Sequence, residues 1–274
     1  MNEQDSSKAH RTISVEQLDL ADSLEEKILV CRQTPPGEVV KYAVERGVRQ
    51  IVQDSSPHFD VELSCAVEML DKPETFFSHP MATLLTPDSV SDESEKSLKL
   101  WSDTYSKSDE KDRIVHDLGN VVSALARPQS LVDDVRLVAD ELFTNSLYNA
   151  PGAGQSGTKK RNQAVELVPG KSCTMKLGKS DSRLVLICED MFGSLRVDSY
   201  LNRMLECYRD GVRTAMRWGD GGAGIGCYLI FESCMSLSIG VQPGVKTLVA
   251  SVFALDKGIR ARHEISKSIH YVNS

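Results

Sequence analysis

The sequence predicts an α/β fold. Its C-terminal part reads as a two-layer α/β sandwich with a mostly antiparallel sheet, preceded by a smaller α/β module. Three observations carry this prediction. Before residue 86, short apolar runs alternate with stretches of helical spacing. After residue 113, helices come first and hairpin-spaced strands follow. Between them, residues 87–112 turn sharply polar and acidic. The chain has 274 residues, enough to bury a large core. Its 32 Lys and Arg against 39 Asp and Glu give a net charge of −7, which disfavours a whole-chain attraction to nucleic acid or anionic lipid. No apolar run approaches the ~18 residues of a membrane span. Met1 to His10 lacks a signal-peptide core, so a cytoplasmic protein is expected. The seven cysteines contain no C-x-x-C pair. They read as reduced core fillers rather than a zinc site or a disulfide framework.

Residues 1–12 are polar and predicted disordered. Within 13–86, Lys27–Cys31 and Arg49–Gln53 read as buried strands. Glu38–Arg46 reads as a helix that Gly47 can end, and Phe59–Leu70 as a second helix. This strand-helix-strand-helix order predicts parallel pairing. Residues 87–112 read as an acidic linker with one docked turn at Leu98–Trp101. Ile114–Ala126 reads as a helix closed by Pro128. The next helix is expected to start on Ser130 as N-cap, with Asp133 and Asp134 in its first turn, and to run to Ala150. Residues 151–163 read as a loop. Ser172–Leu177 and Arg183–Cys188 read as a hairpin, and Val197–Arg209 as a helix. Gly219–Gly226 is a glycine-rich loop running into a helix at Cys227–Cys234. Ser236–Val241 and Thr247–Leu255 read as the final strands, and 257–274 as a tail.

Three motifs carry chemistry. Glu141 and Asn145 are four apart on one helix face, at the edge of its apolar stripe. A carboxylate and an amide so placed suit a hydrated Mg²⁺, and the carboxylate can serve as a general base. They equally suit an ordinary helix edge. Asp190 ends an apolar strand just before Gly193, where a carboxylate can accept from an exocyclic amine or simply cap a turn. Gly222, Gly224 and Gly226 precede an apolar helix, which leaves backbone N–H groups open to an anion. The loop lacks the Gly-Lys-Ser/Thr of a Walker A motif and the position of a Rossmann fingerprint.

Taken in order, Glu141-Leu-Phe-Thr-Asn145, Asp190 with Gly193, and Gly222-Ala-Gly-Ile-Gly226 resemble the boxes of the GHKL ATPase superfamily. The resemblance covers residues 113–256, and Thr247 matches the family's late threonine. It implies ATP and Mg²⁺ as cofactors. Glu141 would be the general base and Asn145 the Mg²⁺ ligand. Asp190 would recognise adenine, with Gly193 beside it and Thr247 in support. Gly222, Gly224 and Gly226 would shape the phosphate-facing loop. The layout is closest to anti-sigma-factor serine kinases. This implies a protein partner of the signalling-regulator type, sigma-factor-like or anti-anti-sigma-like, with no nucleic acid and no membrane span. A homodimer is compatible with the family.

The sequence also departs from that pattern. Phe192 and Ser194 occupy the glycine positions of the first glycine box, and Tyr148 stands where histidine kinases often carry a basic residue. Arg196, Arg203, Arg209, Arg213 and Arg217 are substitutes for that phosphate contact or a solvated helix face. Lys159-Lys-Arg161 reads as a solvated loop or a patch for an acidic partner. His116-Asp-Leu-Gly-Asn120 is similar to a phosphoacceptor box, yet only 24 residues separate His116 from Glu141. That leaves no room for the long dimerisation hairpin of a histidine kinase. The N-terminal Gly37-to-Val52 stretch resembles the last part of a response-regulator receiver, truncated before its phosphorylation site. The leading expectation is therefore a Mg·ATP-dependent regulatory protein kinase. A partner-binding module without turnover is the alternative, and a phosphotransfer protein using His116 comes third.

Overall fold

The computed structural model describes residues 11–20, 23–125, 128–150, 164–216, 225–255 and 266–273. The strands among them are β1 (Thr12–Ser14), β2 (Ile28–Cys31), β3 (Gln50–Gln53), β4 (Lys99–Tyr105), β5 (Cys173–Lys179), β6 (Arg183–Asp190), β7 (Ser236–Gln242), β8 (Lys246–Ala254) and β9 (Ser268–Asn273). All join one mixed sheet in the order β1-β2-β3-β9-β7-β8-β6-β5-β4. The pairs β1–β2, β2–β3 and β7–β9 are parallel and the other five are antiparallel. The N-terminal βα unit thus continues the C-terminal sheet instead of preceding it as a separate module.

Two segments correct the sequence reading. Residues 87–112 are not a linker: they hold a capped helix, the edge strand β4 and the start of another helix. The 257–274 stretch is not only a tail, because β9 inserts between β3 and β7 and joins the two halves. Both strands are rich in polar residues, for opposite reasons. β4 lies at the sheet edge, where charge discourages further pairing. β9 is buried, and its Ser268 and His270 find polar partners inside.

The helices are α1 (Pro36–Glu45), α2 (Phe59–Asp71), α3 (Pro73–Ser78), α4 (Pro80–Leu85), α5 (Asp92–Leu98), α6 (Lys111–Ala124), α7 (Gln129–Thr144), α8 (Val197–Asp210), α9 (Val212–Ala215) and α10 (Gly226–Ser233). Proline opens α1, α3 and α4, where its missing N–H costs nothing. Ser91 and Ser94 form a capping box on α5. Pro128, not Ser130, precedes α7. A π turn, Asn145–Asn149, extends α7 at its C-terminal end.

Alternation along the central strands splits the core into two layers. Leu184, Leu186 and Cys188 of β6 pack towards α1, α6, α7, α8 and α10. Val185 and Ile187 pack on the other face against Met69 of α2, Phe76 and Phe77 of α3, and Met81 and Leu84 of α4. Helices therefore cover both faces of the sheet, which explains why β6 reads as a continuous apolar run. All seven cysteines are buried and outside any disulfide, as core fillers should be.

The layer under α2 also buries charge. Glu62 is 1% exposed and accepts from Ser268 Oγ. His270 Nδ1 lies 2.8 Å from Gln50 Oε1. Burial pushes Glu62 up to about 7, against the pull of Ser268 and the Arg183 charge. Burial, helped by Arg183, pushes His270 down to about 3. A raised carboxyl favours folding fully below its unfolded pKa and loses that contribution as pH rises through its folded value. A depressed imidazole loses stability as pH falls from 6.5 towards 3. Between pH 4.5 and 7 the stability difference between Glu62→Gln and wild type is expected to move by about 3 kcal/mol in the variant's favour. Urea titrations across that range check it, and a pH-independent difference contradicts it.

Candidate functional site

On the face bearing α7, a cavity of about 380 Å³ opens between α7, α8, the first turn of α10 and the ends of β6 and β8. That volume falls in the range of small-molecule sites. Asn145, Asp190, Gly226 and Thr247 line it. Glu141 stands directly behind Gly226: a Cβ there would overlap Glu141 Oε2 and sit 3.0 Å from its Cδ. Only glycine leaves this carboxylate its place beside the first turn of α10.

Asp190 is 6% exposed and faces Thr247 across the β6–β8 pair. Its Oδ1 accepts from the N–H of Phe192 at 2.9 Å and of Gly193 at 3.3 Å. This turn fixes the carboxylate and leaves Oδ2 as an acceptor. Burial raises the Asp190 pKa, while the Phe192 N–H, Thr247 and the Gly193 N–H restrain the rise. Among the described residues Thr247 Oγ1 is buried without a well-formed hydrogen bond, although it lies near enough to Asp190 to help hold that carboxyl's pKa down. A carboxylate and a hydroxyl side by side suit a ligand edge that offers both a donor and an acceptor.

The π turn shapes the opposite wall. The turn at the end of α7 sets Asn145, Ser146, Asn149 and Ala150, spaced i, i+1, i+4 and i+5, all on the cavity. Asn149 Nδ2 donates to Asn145 Oδ1 at 3.0 Å, which orients that amide. Ser146 Oγ donates to the Phe143 carbonyl at 3.0 Å and lies 2.6 Å from the Tyr105 hydroxyl. The Tyr105 ring stacks on Phe143, so the edge strand β4 braces this wall.

The third wall is one face of α8. Arg196, Ser199, Tyr200 and Arg203 recur at helical spacing and all line the cavity. Arg203 is engaged with Glu206 and the Ala215 carbonyl. Arg196 is exposed at the mouth and has no ion-pair partner among the described residues. Arg209 pairs with Asp210 at 2.8 Å, and neither it nor Arg213 lies on the wall.

Other expected residues sit elsewhere. Gly193 is off the wall: at φ +57° its backbone passes against the β7–β8 turn. Phe192 is also off the wall, with Lys171 Nζ 5.6 Å above its ring. Ser194 lines the cavity and donates to the Ala150 carbonyl at 2.7 Å. Tyr148 is buried in the core. His116 lies in the second turn of α6 rather than at a helix start, exposed, 3.2 Å from Asn120 Nδ2 and away from the cavity. Gly222, Gly224, Arg217 and Lys159–Arg161 fall outside the described residues.

Sequence reasoning missed Asn149, Ser199 and Tyr200. The 196/199/200/203 spacing was the signal available for the α8 wall. Among the described residues no three His, Cys, Asp or Glu side chains gather to hold a metal. A cation here would rest on the Asn145 amide oxygen and on the ligand itself.

No family model and no curated protein matches the chain. Among solved structures, a chain of the SiaB-SiaC complex from Pseudomonas aeruginosa is similar to it. The TM-score is 0.38 at 15% identity, over 68% of this chain and 97% of that one. A likeness this remote brings no role with it. Among the described residues no helix is long and apolar enough to cross a membrane.

Proposed function

We propose that this chain is a Mg·ATP-binding signalling protein that phosphorylates a protein partner, a regulatory kinase of anti-sigma-factor type within the GHKL superfamily. One observation carries the reading. Residues spread over a hundred positions of sequence, Asn145, Asp190, Gly226 and Thr247, converge on one cavity with Glu141 behind it. The donor set fits an adenine nucleotide at the Asp190 end. Asp190 Oδ2 is an acceptor for an exocyclic amine, and Thr247 Oγ1 is a buried hydroxyl beside it. When bound, Mg·ATP supplies the transferable phosphoryl group. Asn145 would hold the cation, Arg196 would offer charge at the mouth, and Glu141 would accept the proton of the attacking hydroxyl as ADP leaves. The protein's share of such a transfer is positioning and charge stabilisation rather than covalent chemistry.

A second reading is a partner-binding module that does not turn nucleotide over. It is favoured by Tyr148, which is turned into the core, and by Ser194, which is tied to Ala150 where the family pattern has glycine. Incubation with γ-labelled ATP and a co-purified partner separates the two. Label on the partner is expected, and its loss in Glu141→Gln with nucleotide still bound places Glu141 in the chemistry. Nucleotide binding without transfer in the wild type favours the second reading.

A further inference from the structure

Tyr148 is turned into the core, and Asn149, the residue after it, lines the cavity together with Asn145. The two asparagines are four apart, so their side chains meet on one face of the turn. Asn149 Nδ2 donates to Asn145 Oδ1 at 3.0 Å. The backbone beneath the pair is tied at three points. Ser146 Oγ donates to the Phe143 carbonyl at 3.0 Å, and the Ala150 N–H donates to the Asn145 carbonyl. Ser194 Oγ, from the loop after β6, donates to the Ala150 carbonyl at 2.7 Å. The contact between the two amides therefore belongs to a braced wall.

The two ends of an asparagine amide have nearly the same shape, but only the oxygen can ligate a hard cation. Turning the Asn145 amide over would set its NH₂ against the NH₂ of Asn149, donor against donor. After accepting from Asn149, the Asn145 oxygen keeps a second lone pair. We propose that Asn149 is a positioning residue for the Asn145 oxygen. It selects the end of that amide which a nucleotide-bound Mg²⁺ would meet, and it touches neither the ion nor the nucleotide itself. This rests on the reading of Asn145 as the Mg²⁺ ligand.

The test uses the full chain carrying Asn149→Ala, an exposed position that the fold tolerates. ATP is titrated calorimetrically in Mg²⁺ and in EDTA, and the ratio of the two dissociation constants reads the help that Mg²⁺ gives. That ratio is expected to fall about fivefold, the loss of one neutral hydrogen bond, with the EDTA constant within about twofold of wild type. A merely structural role would shift both constants together. That result, or an unchanged ratio, overturns the proposal. In an Asn145→Ala background, Asn149→Ala is expected to change the ratio no further, because it acts through Asn145. A further fall there would mean that Asn149 meets the ligand directly, and also overturns the proposal. A wild type that binds no ATP, or binds it equally with and without Mg²⁺, refutes the reading of Asn145 as the cation's ligand. Nuclear magnetic resonance of the ligand-free chain then decides the pairing alone. The Asn145 side-chain amide signals, assigned by their loss in Asn145→Ala, are expected to move in Asn149→Ala towards the positions of a free amide. Signals that stay in place overturn the proposal.

Discussion

Gly193→Ala is expected to lose about 3–5 kcal/mol of stability, among the largest effects of any single methyl addition in this chain. Two costs add. The residue sits at φ +57°, a left-handed conformation that disfavours an L side chain by about 1 kcal/mol or more. A Cβ would also lie 2.7 Å from Val245 N, 2.8 Å from Gly244 N and closer still to the Gln242 carbonyl oxygen. These are backbone atoms of the β7–β8 turn, which cannot rotate aside as a side chain would. The Gly193 carbonyl also accepts from Gly244 N at 3.2 Å, so the two loops are tied where the clash falls. Gly244→Ala is the matched control, because its φ is +73° but nothing lies within 4 Å of the added atom. It is expected to cost only about 1 kcal/mol. Guanidinium titrations of both variants separate conformation from contact. Equal losses would contradict the described approach of the two loops.

Arg183→Ala is the second large effect, about 3–5 kcal/mol at pH 7.5. Arg183 is 2% exposed, and its guanidinium donates to the Leu84 carbonyl at the end of α4. Its charge also lowers the pKa of Glu62 and that of Cys65. Truncation would leave a void, an unpaired carbonyl and a buried carboxyl without its cationic neighbour. The loss should shrink in a Glu62→Gln background, since the uncompensated charge is then absent. An undiminished loss there would show that Arg183 acts through packing alone. The site lies on the other face of the sheet, so both variants test how the N-terminal helices are fastened to the strands that carry the cavity.

The fold was legible where burial is one-sided or complete. Val39, Val40 and Ala43 announced α1, and the Leu184–Cys188 run announced β6, because apolar periodicity is the signal that burial writes into sequence. It failed where polar residues go inside. Ser268 and His270 look like surface residues until Glu62 and Gln50 supply their partners, and those partners lie more than two hundred positions away. The site shows the same split. Glu141, Asn145, Asp190 and Gly226 could be listed from motif spacing, since each sits on a local element. Gly193 could not be placed, because its role depends on the β7–β8 turn arriving against it.

Calorimetric titration of the full chain with ATP, in the presence of Mg²⁺, tests the central claim most directly. The cavity is predicted to bind one nucleotide per chain. Asp190→Ala is expected to weaken that binding about 30- to 100-fold with the fold intact by circular dichroism, the loss of one buried charge-assisted hydrogen bond. Asn145→Ala should weaken the Mg²⁺-dependent part alone. Absence of binding at millimolar ATP, with and without Mg²⁺, or binding that Asp190→Ala leaves unchanged, would contradict the assignment of this cavity to a nucleotide.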